Sequence, residues 1–346
     1  MQNKLLVYIT CSAILLVGIA IVSLNLGAYT FEDTSLWNVF KNGIMGDINA
    51  SASGDHYVLF KIRLPRIVMG ILIGSALAVS GTCLQGMFKN PLATPNLIGV
   101  TSGASLFAAV SIVLGAHLRT YLPEVLHYSL ISIMAFLGAI LTMTFVYRIS
   151  TSRKKTNVVV MLLAGVAISA LAGAVTGFLT YLTKEEQLRD LTFWTLGSLG
   201  GATWVKNGIL AVVILFSYYF LINKGKGLNA MMLGEEDAAH LGFPVERIKK
   251  QIIILTALLV GTCVAFSGAI GFVGLIVPYI LRLLFKSNYH IILPLSAVVG
   301  SILLLLADTV SRTIVSPSEL PIGILTAFLG APVFIAILIR FKKSLL

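Results

Sequence analysis

The sequence predicts an all-α polytopic membrane protein that forms one transmembrane domain over residues 1–346. Hydrophobic residues make up 57% of the chain and charged residues only 11%, whereas soluble domains carry about 25% charged residues. Apolar runs recur along the whole chain, and many approach the roughly 20 residues that cross a bilayer as a helix. Such a chain cannot bury its apolar surface in one soluble core.

Ten apolar runs are candidate spans. The first, Leu5 to Leu26, could be a signal peptide, but it is longer than a usual hydrophobic region and no clear cleavage site follows it. Cys11, Cys83 and Cys263 lie within apolar runs, so we expect them to be small buried hydrophobes rather than disulfide or metal partners. The spans are 5–26, 64–86, 93–114, 126–147, 157–181, 205–222, 247–268, 273–286, 291–312 and 322–340.

The charges predict the orientation of the chain. A net charge of +11 could indicate nucleic-acid binding. In a membrane protein it is better explained by the excess of basic residues in cytoplasmic loops. With the N-terminus in the cytoplasm, sixteen of the 25 bases fall on that side, most densely in "RISTSRKKTN" at 148–157. We therefore expect both termini in the cytoplasm.

Two segments on the outer side are too polar to span. Residues 27–62 are expected to contain short interfacial helices, and residues 182–204 suit a short re-entrant or interfacial helix beside a cavity.

Two stretches of the chain are similar to each other. "GSALAVSGTCLQGMFKNP" at 74–91 and "GTCVAFSGAIGFVGLIVP" at 261–278 share Gly, Ala, Ser and Pro positions. The first runs inward and the second outward, so they indicate an inverted internal repeat, an arrangement typical of transporters. The alternative is a chance match between helices rich in small residues. Glycines at close spacing, such as Gly70 with Gly74 and Gly99 with Gly103, predict close helix approach.

Motifs for catalysis are absent from the sequence. There is no P-loop, no H-E-x-x-H and no G-x-S-x-G, and the five histidines are scattered. We expect no catalytic residue, no metal ligand and no cofactor bound by this chain. Asp308 is the main ionisable group inside a span, and we expect it to pair with Arg312 one helical turn later. A carrier without an evident coupling ion indicates that a partner supplies the energy.

A short acidic segment lies in the longest cytoplasmic loop. "LNAMMLGEEDAAHLGFP" at 228–244 predicts one or two amphipathic helices ended by Gly242 and Pro244, with an apolar face from Leu228 to Leu233. It is either a solvated loop helix or an element that inserts into a groove of another protein.

The chain resembles the FecCD family of permeases for iron complexes and cobalamin. Four segments carry the resemblance, together with the coupling-helix pattern E-x-A-x-x-x-G at Glu236, Ala238 and Gly242. They are "RLPRIVMGILIGSALAVSGTCLQGMFKNPLATPNLIGVTSGA" (63–104), "WTLGSLGGATW" (194–204), "GAIGFVGLIVPYILRLL" (268–284) and "ADTVSRTIVSPSELPIGILTAFLGAPVFIAIL" (307–338).

The resemblance implies an ATP-binding-cassette (ABC) importer in the bacterial cytoplasmic membrane. The permease would be a homodimer of the BtuC-like fold, with ten helices in each subunit and the path between the copies. Two separate ATPase subunits would use ATP and Mg²⁺ and dock on the coupling helices at 228–242. A periplasmic or lipid-anchored binding protein would deliver the substrate.

The resemblance also implies roles for particular residues. Binding-protein carboxylates would meet Arg63, Arg66 and Arg312 at the outer ends of spans two and nine. The alternative for these arginines is contact with lipid headgroups. The residues implied in ATPase coupling are Leu233, Gly234, Glu235, Glu236, Ala238, Leu241 and Gly242.

The sequence favours one cargo but leaves several alternatives. "EEQLRDLTFWTLGSLGGATW" at 185–204 is most similar to haem permeases. Arg189 could meet a propionate, or could instead pair with Glu185 or Asp190. Ferric siderophore, cobalamin and oxyanion remain alternatives. We expect Arg189, Trp194, Thr176 and Thr180 to line or gate the path with spans five and ten. An ion-coupled secondary transporter is the rival from another class.

Overall fold

The protein is almost entirely helical. A computed structural model describes residues 2–30, 36–45, 54–119 and 129–345. A six-residue π-helix, Val58–Arg63, precedes the helix Leu64–Phe88, and a hairpin of two short strands, Thr151–Ser152 with Lys155–Thr156, precedes the helix Val158–Tyr181. The α-helices are α1 (Gln2–Asn25), α2 (Leu36–Met45), α3 (Gly54–Tyr57), α4 (Leu64–Phe88), α5 (Val100–Arg119), α6 (Leu130–Ser150), α7 (Val158–Tyr181), α8 (Glu185–Leu196), α9 (Trp204–Leu221), α10 (Gly225–Leu233), α11 (Glu235–His240), α12 (Val245–Ser267), α13 (Val273–Phe285), α14 (Tyr289–Ser311) and α15 (Ile322–Leu345).

The ten predicted spans correspond to ten helical segments. Eight helices of the described chain are long and apolar enough to cross a bilayer, and two shorter apolar helices, within α5 and in α13, complete the set. Most boundaries agree within a few residues. The first residues of the predicted fourth span lie outside the described part of the chain.

The third span begins later than predicted. Residues 93–99 form a loop and a 3₁₀ turn, Pro95–Ile98, and the helix starts at Val100. The cause is local: Pro91 and Pro95 interrupt helical hydrogen bonding, and Gly99 takes a left-handed conformation with φ +80°. A prediction from apolar composition alone therefore starts the third span at residue 93, seven residues before the helix begins at Val100.

The second span is longer than predicted. Residues 54–63 were assigned to an outer loop, but they continue through the π-helix into α4 as one helical segment, Gly54–Phe88. Within the described part of residues 27–62 the expected interfacial helix is α2, and the short helix expected in residues 182–204 is α8.

Helix α4 lies at the centre of the bundle. Its most apolar window is 83% buried, and it packs against α14, α13 and α12. Backbones touch at two glycine contacts: a Cβ on Gly74 would lie 2.4 Å from the Gly300 carbonyl oxygen, and one on Gly81 would lie 1.9 Å from that of Gly274. The predicted glycine-mediated approach is confirmed at Gly74. The inverted repeat remains a prediction, although its two stretches meet at Gly81 and Gly274.

The cysteine prediction is wrong at one position. Cys83 and Cys263 are buried, as expected, but Cys11 is exposed. It lies on α1, whose most apolar window is 0% buried within the chain. A residue in an apolar run can face lipid as easily as protein.

Candidate functional site

One end of the bundle holds a buried charged cluster. Arg66, from the first turn of α4, donates from Nε and Nη2 to Asp308 Oδ1 at 3.0 and 2.9 Å. Its Nη1 donates to Glu319 at 2.7 and 2.9 Å. Arg312 Nε lies 3.7 Å from Asp308 Oδ2. The predicted pairing of Asp308 with Arg312 is therefore confirmed, but Arg66 is the closer partner of this fully buried carboxylate.

Two arginines of this end of the bundle, Arg63 and Arg312, bind backbone carbonyls at the end of α1 and just beyond it. Arg63 donates to the carbonyl oxygens of Leu24 and Tyr29. Arg312 donates to the carbonyl oxygens of Ser23 and of Leu26, the latter at 2.9 Å. The last carbonyls of a helix lack partners within the helix and carry partial negative charge, so cations stabilise this end.

The exposure of the arginines differs from what the sequence predicts. Arg63, Arg66 and Arg312 are only 4%, 7% and 7% exposed. Carbonyl and carboxylate oxygens of the same chain already accept hydrogen bonds from their guanidinium groups. They do not reach out toward solvent or lipid headgroups. Glu319, whose side chain is 45% exposed, is the solvent-exposed member of the cluster. Sequence reasoning missed Glu319 because nothing in "SPSEL" marks it as a partner of Arg66.

The opposite end of α4 meets the 228–242 segment. A Cβ on Gly86 would lie 3.0 Å from the Leu228 side chain of α10. The 25 residues of α4 cover about 37 Å at 1.5 Å per residue, more than the hydrocarbon core. The arginine cluster and the 228–242 segment therefore lie on opposite faces of the bundle.

The acidic segment folds into two short helices, as predicted. Gly234 separates α10 from α11, Ala238 is fully buried, and Gly242 ends the segment with φ +85°. The expected apolar face divides in two. Leu228 and Met231 are buried in the chain, whereas Leu233 and Leu241 are 72% and 62% exposed.

A buried lysine behind α11 was missed by sequence reasoning. Lys249 of α12 is 1% exposed, and its Nζ binds Glu235 at 2.6 Å and Glu246 at 3.1 Å. Helical spacing could have identified it, because Lys249 lies four residues after the buried Val245, whereas Lys250 faces outward.

Two of the cavities between the helices adjoin residues 269–275. One of about 410 Å³ is lined by residues of the 90–97 loop and by 270–275. The other, of about 660 Å³, is lined by the end of α8, residues 269–272 and α15. Both volumes are in the range of small-molecule sites, about 300–1,000 Å³.

Phe272 and Gly271 border both cavities. Phe272 has φ +65°, which is rare for a residue with a side chain. A Cβ on Gly330 would lie 2.2 Å from Phe272 Cγ, so the ring rests against the backbone of α15. No group of three or more His, Cys, Asp or Glu able to hold a metal occurs in the part of the chain that the structure describes.

The sequence profile of the FecCD transport family matches residues 14–340. The chain belongs to the FecCD transport family. Among its relatives is the hemin transport system permease protein HmuU of Yersinia pestis, 39% identical over 331 residues, which cover 96% of this chain and 95% of the relative. Another is the vitamin B12 import system permease protein BtuC of Vibrio vulnificus, 38% identical over 297 residues, 86% of this chain and 87% of the relative.

Solved structures support the same fold. A metal-chelate type ABC transporter in an inward-facing conformation superimposes with a TM-score of 0.81 at 32% identity, covering 96% of this chain and 98% of the other. PsaBC from Streptococcus pneumoniae matches with a TM-score of 0.55 at 19% identity, covering 82% and 92%, and this second likeness concerns the fold alone.

This FecCD protein is therefore the permease subunit of an ABC importer. It is a multi-span membrane protein and not an enzyme, because ATP hydrolysis belongs to separate subunits in this class. Family membership removes the ion-coupled secondary transporter as an explanation.

The predicted path residues of this FecCD permease are scattered around α7 and α8. Arg189 is exposed and lies over the Phe193 ring, 5.8 Å from its centroid, rather than beside Glu185 or Asp190. Trp194 is half-buried against the core. The Thr180 hydroxyl donates to the Thr176 carbonyl oxygen at 2.8 Å, within α7. Their role in the path remains a prediction.

Proposed function

We propose that this permease imports haem. The relation to the hemin permease HmuU, which extends over 96% of this chain, carries the proposal. The "LRDLTFW" segment supports it, because it forms most of α8 and its helix ends at the larger cavity. Cobalamin is the second candidate, since BtuC proteins match at a similar identity. A ferric siderophore or an oxyanion are further alternatives.

The proposed assembly is a homodimer in the bacterial cytoplasmic membrane, with both termini in the cytoplasm. Helices α7 and α15 leave apolar faces available to a second copy or to lipid, because only 17% and 22% of their apolar windows are buried within one chain. The basic hairpin supports the orientation, because it lies beside α11 on the face opposite the arginine cluster. The chain itself would bind no cofactor.

The proposed outer docking site for a binding protein is the arginine cluster. Arg66 already holds Glu319 in a two-bond contact on the exposed side of the cluster. A carboxylate of the docking protein would replace Glu319 there, because a guanidinium recognises a carboxylate through paired hydrogen bonds. Arg63 and Arg312 would support the site by holding the end of α1.

The proposed inner docking site for the ATPase subunits is the 228–242 segment. Leu233 and Leu241 expose apolar side chains suited to a groove, and Glu236 and Asp237 stand exposed beside them. Apolar anchors supply affinity in such contacts, and the charges steer approach. The ATPases would bind ATP and Mg²⁺.

Reconstitution tests the cargo. Proteoliposomes containing the permease, its ATPase subunits and its binding protein would be offered haem, ferric siderophore and cobalamin separately. Haem alone is expected to accumulate inside and to stimulate ATP hydrolysis, and a protonophore should leave uptake unchanged. Accumulation of cobalamin or siderophore in place of haem would overturn the haem proposal.

A further inference from the structure

Lys249 joins three elements on the cytoplasmic face. Its ammonium group has three N–H donors, and three acceptors surround it. They are Glu235 of α11 at 2.6 Å, Glu246 of α12 at 3.1 Å and the Thr156 carbonyl oxygen at 3.2 Å. The group is 1% exposed. A buried cation persists only when it is fully paired, so these three contacts hold one another in place.

The Thr156 contact connects this site to α7. Thr156 lies in the hairpin between α6 and α7, and its backbone N–H donates to the second carboxylate oxygen of Glu246 at 2.9 Å. The next residue, Asn157, caps α7 by accepting hydrogen bonds from Val159 and Val160 at 3.0 and 3.1 Å. The path from α11 to the first turn of α7 thus runs from Glu235 through Lys249 to Thr156, and from there along the chain to Asn157.

The two carboxylates that bind Lys249 are partly exposed, whereas the lysine itself is buried. Glu235 and Glu246 are 40% and 37% exposed. Water can solvate the exposed side of either carboxylate, so a glutamate that loses its contact with the lysine can be solvated instead. The buried ammonium has no such alternative, because each contact it loses leaves an unpaired donor. A displacement of α11 must therefore either carry the hairpin with it or break the link.

We infer that Lys249 is a positioning residue that transmits movement of the α11 coupling helix to α7. The inference rests on the proposed docking of the ATPase subunits at 228–242. Lys249 contacts neither cargo nor nucleotide. It determines whether displacement of α11 moves the hairpin and the cytoplasmic start of the helix proposed to border the path.

The test separates transport from hydrolysis. Lys249→Met removes the link and keeps an apolar side chain of similar length. Lys250→Met is the matched control, because Lys250 is the exposed neighbour on the same helix. In reconstituted complexes we expect Lys249→Met to retain the ATPase subunits and ATP hydrolysis, while cargo imported per ATP falls by about fivefold or more. Lys250→Met should keep the wild-type ratio.

A second measurement covers the case in which Lys249→Met fails to assemble. Glu235→Gln neutralises the part-exposed partner and should lower the same ratio more mildly. Spin labels at Ala239→Cys and Lys154→Cys, in a Cys11→Ser background, would report the distance between α11 and the hairpin. Wild type should keep one narrow distance with and without ATP, and Glu235→Gln should broaden it.

The possible outcomes distinguish this inference from the proposed function. An unchanged ratio in an assembled Lys249→Met complex, or an unchanged distance distribution in Glu235→Gln, would overturn the link and leave the cargo assignment intact. Loss of ATPase binding in Lys249→Met with wild-type coupling in Glu235→Gln would make Lys249 a docking residue instead. Failure of wild type to import haem would refute the cargo alone, because the spin-label measurement needs only the ATPase subunits.

Discussion

Asp308 and Glu319 allow a direct test of how the outer cluster is stabilised. Both carboxylates bind Arg66, but the side chain of Asp308 is 0% exposed and that of Glu319 is 45% exposed. Asp308→Asn keeps the shape of the side chain and removes its charge. Two buried guanidinium groups, those of Arg66 and Arg312, then lose a charged partner.

The expected magnitudes differ because the burial differs. Breaking a buried pair by removing one partner costs about 3–5 kcal/mol. We expect Asp308→Asn to lose about 3 kcal/mol, the lower end of that range, since Glu319 still holds one edge of Arg66. Glu319→Gln should cost about 1 kcal/mol or less, because water solvates its surroundings.

The buried cysteines provide an assay for this comparison. Cys83 and Cys263 are buried and become reactive when the bundle opens. A thiol-reactive fluorophore would follow thermal unfolding in detergent, in a Cys11→Ser background that removes the exposed thiol. Equal midpoints for Asp308→Asn and Glu319→Gln, or a larger loss in Glu319→Gln, would refute the assignment of Asp308 as the structural partner of Arg66.

Three further changes address the inner face, the core and the outer face. Glu236→Arg combined with Asp237→Arg, at the two exposed acids of α11, should abolish copurification of the ATPase subunits, and an intact complex would contradict docking at this segment. Gly81→Ala should lower the free energy of unfolding by about 1–3 kcal/mol through overpacking, because the added Cβ would lie 1.9 Å from the Gly274 carbonyl oxygen. Gly208→Ala on α9 is its control, with nothing within 4 Å of the added Cβ, and should gain up to about 1 kcal/mol. Glu319→Gln should also tighten binding of the binding protein by about two- to fivefold, the equivalent of one exposed ion pair. Weaker or unchanged binding in a titration would show that Glu319 does not compete for Arg66.

Sequence reasoning located the spans well because span length is set by the bilayer. Eight of the ten predicted starts lie within four residues of the start of a described helical segment or in the undescribed part. The later start at Val100 depends on a left-handed Gly99 and two prolines, which matter more locally than apolar composition. The continuation of span two into 54–63 was missed because residues such as Lys61 and Arg63 interrupt the apolar pattern.

The site was harder to predict because its contacts are distant in sequence. Asp308 with Arg312 is an i,i+4 pair on one helix and could be read directly. Arg66 with Asp308 joins residues 242 positions apart, and only the packing of α4 on α14 brings them together. The same holds for Lys249 and Thr156, which are 93 positions apart.

The glycine contacts of α4 also bear on how the permease moves. At Gly74 and Gly81 the backbones of α14 and α13 touch α4 with no side chain between them, so α4 cannot shift at these two points without pushing its neighbours away. We expect these three helices to behave as the stationary frame of the transport cycle. The moving parts would then be the loosely enclosed α7 and α15 and the short α8, and structures of different states should superimpose best on α4.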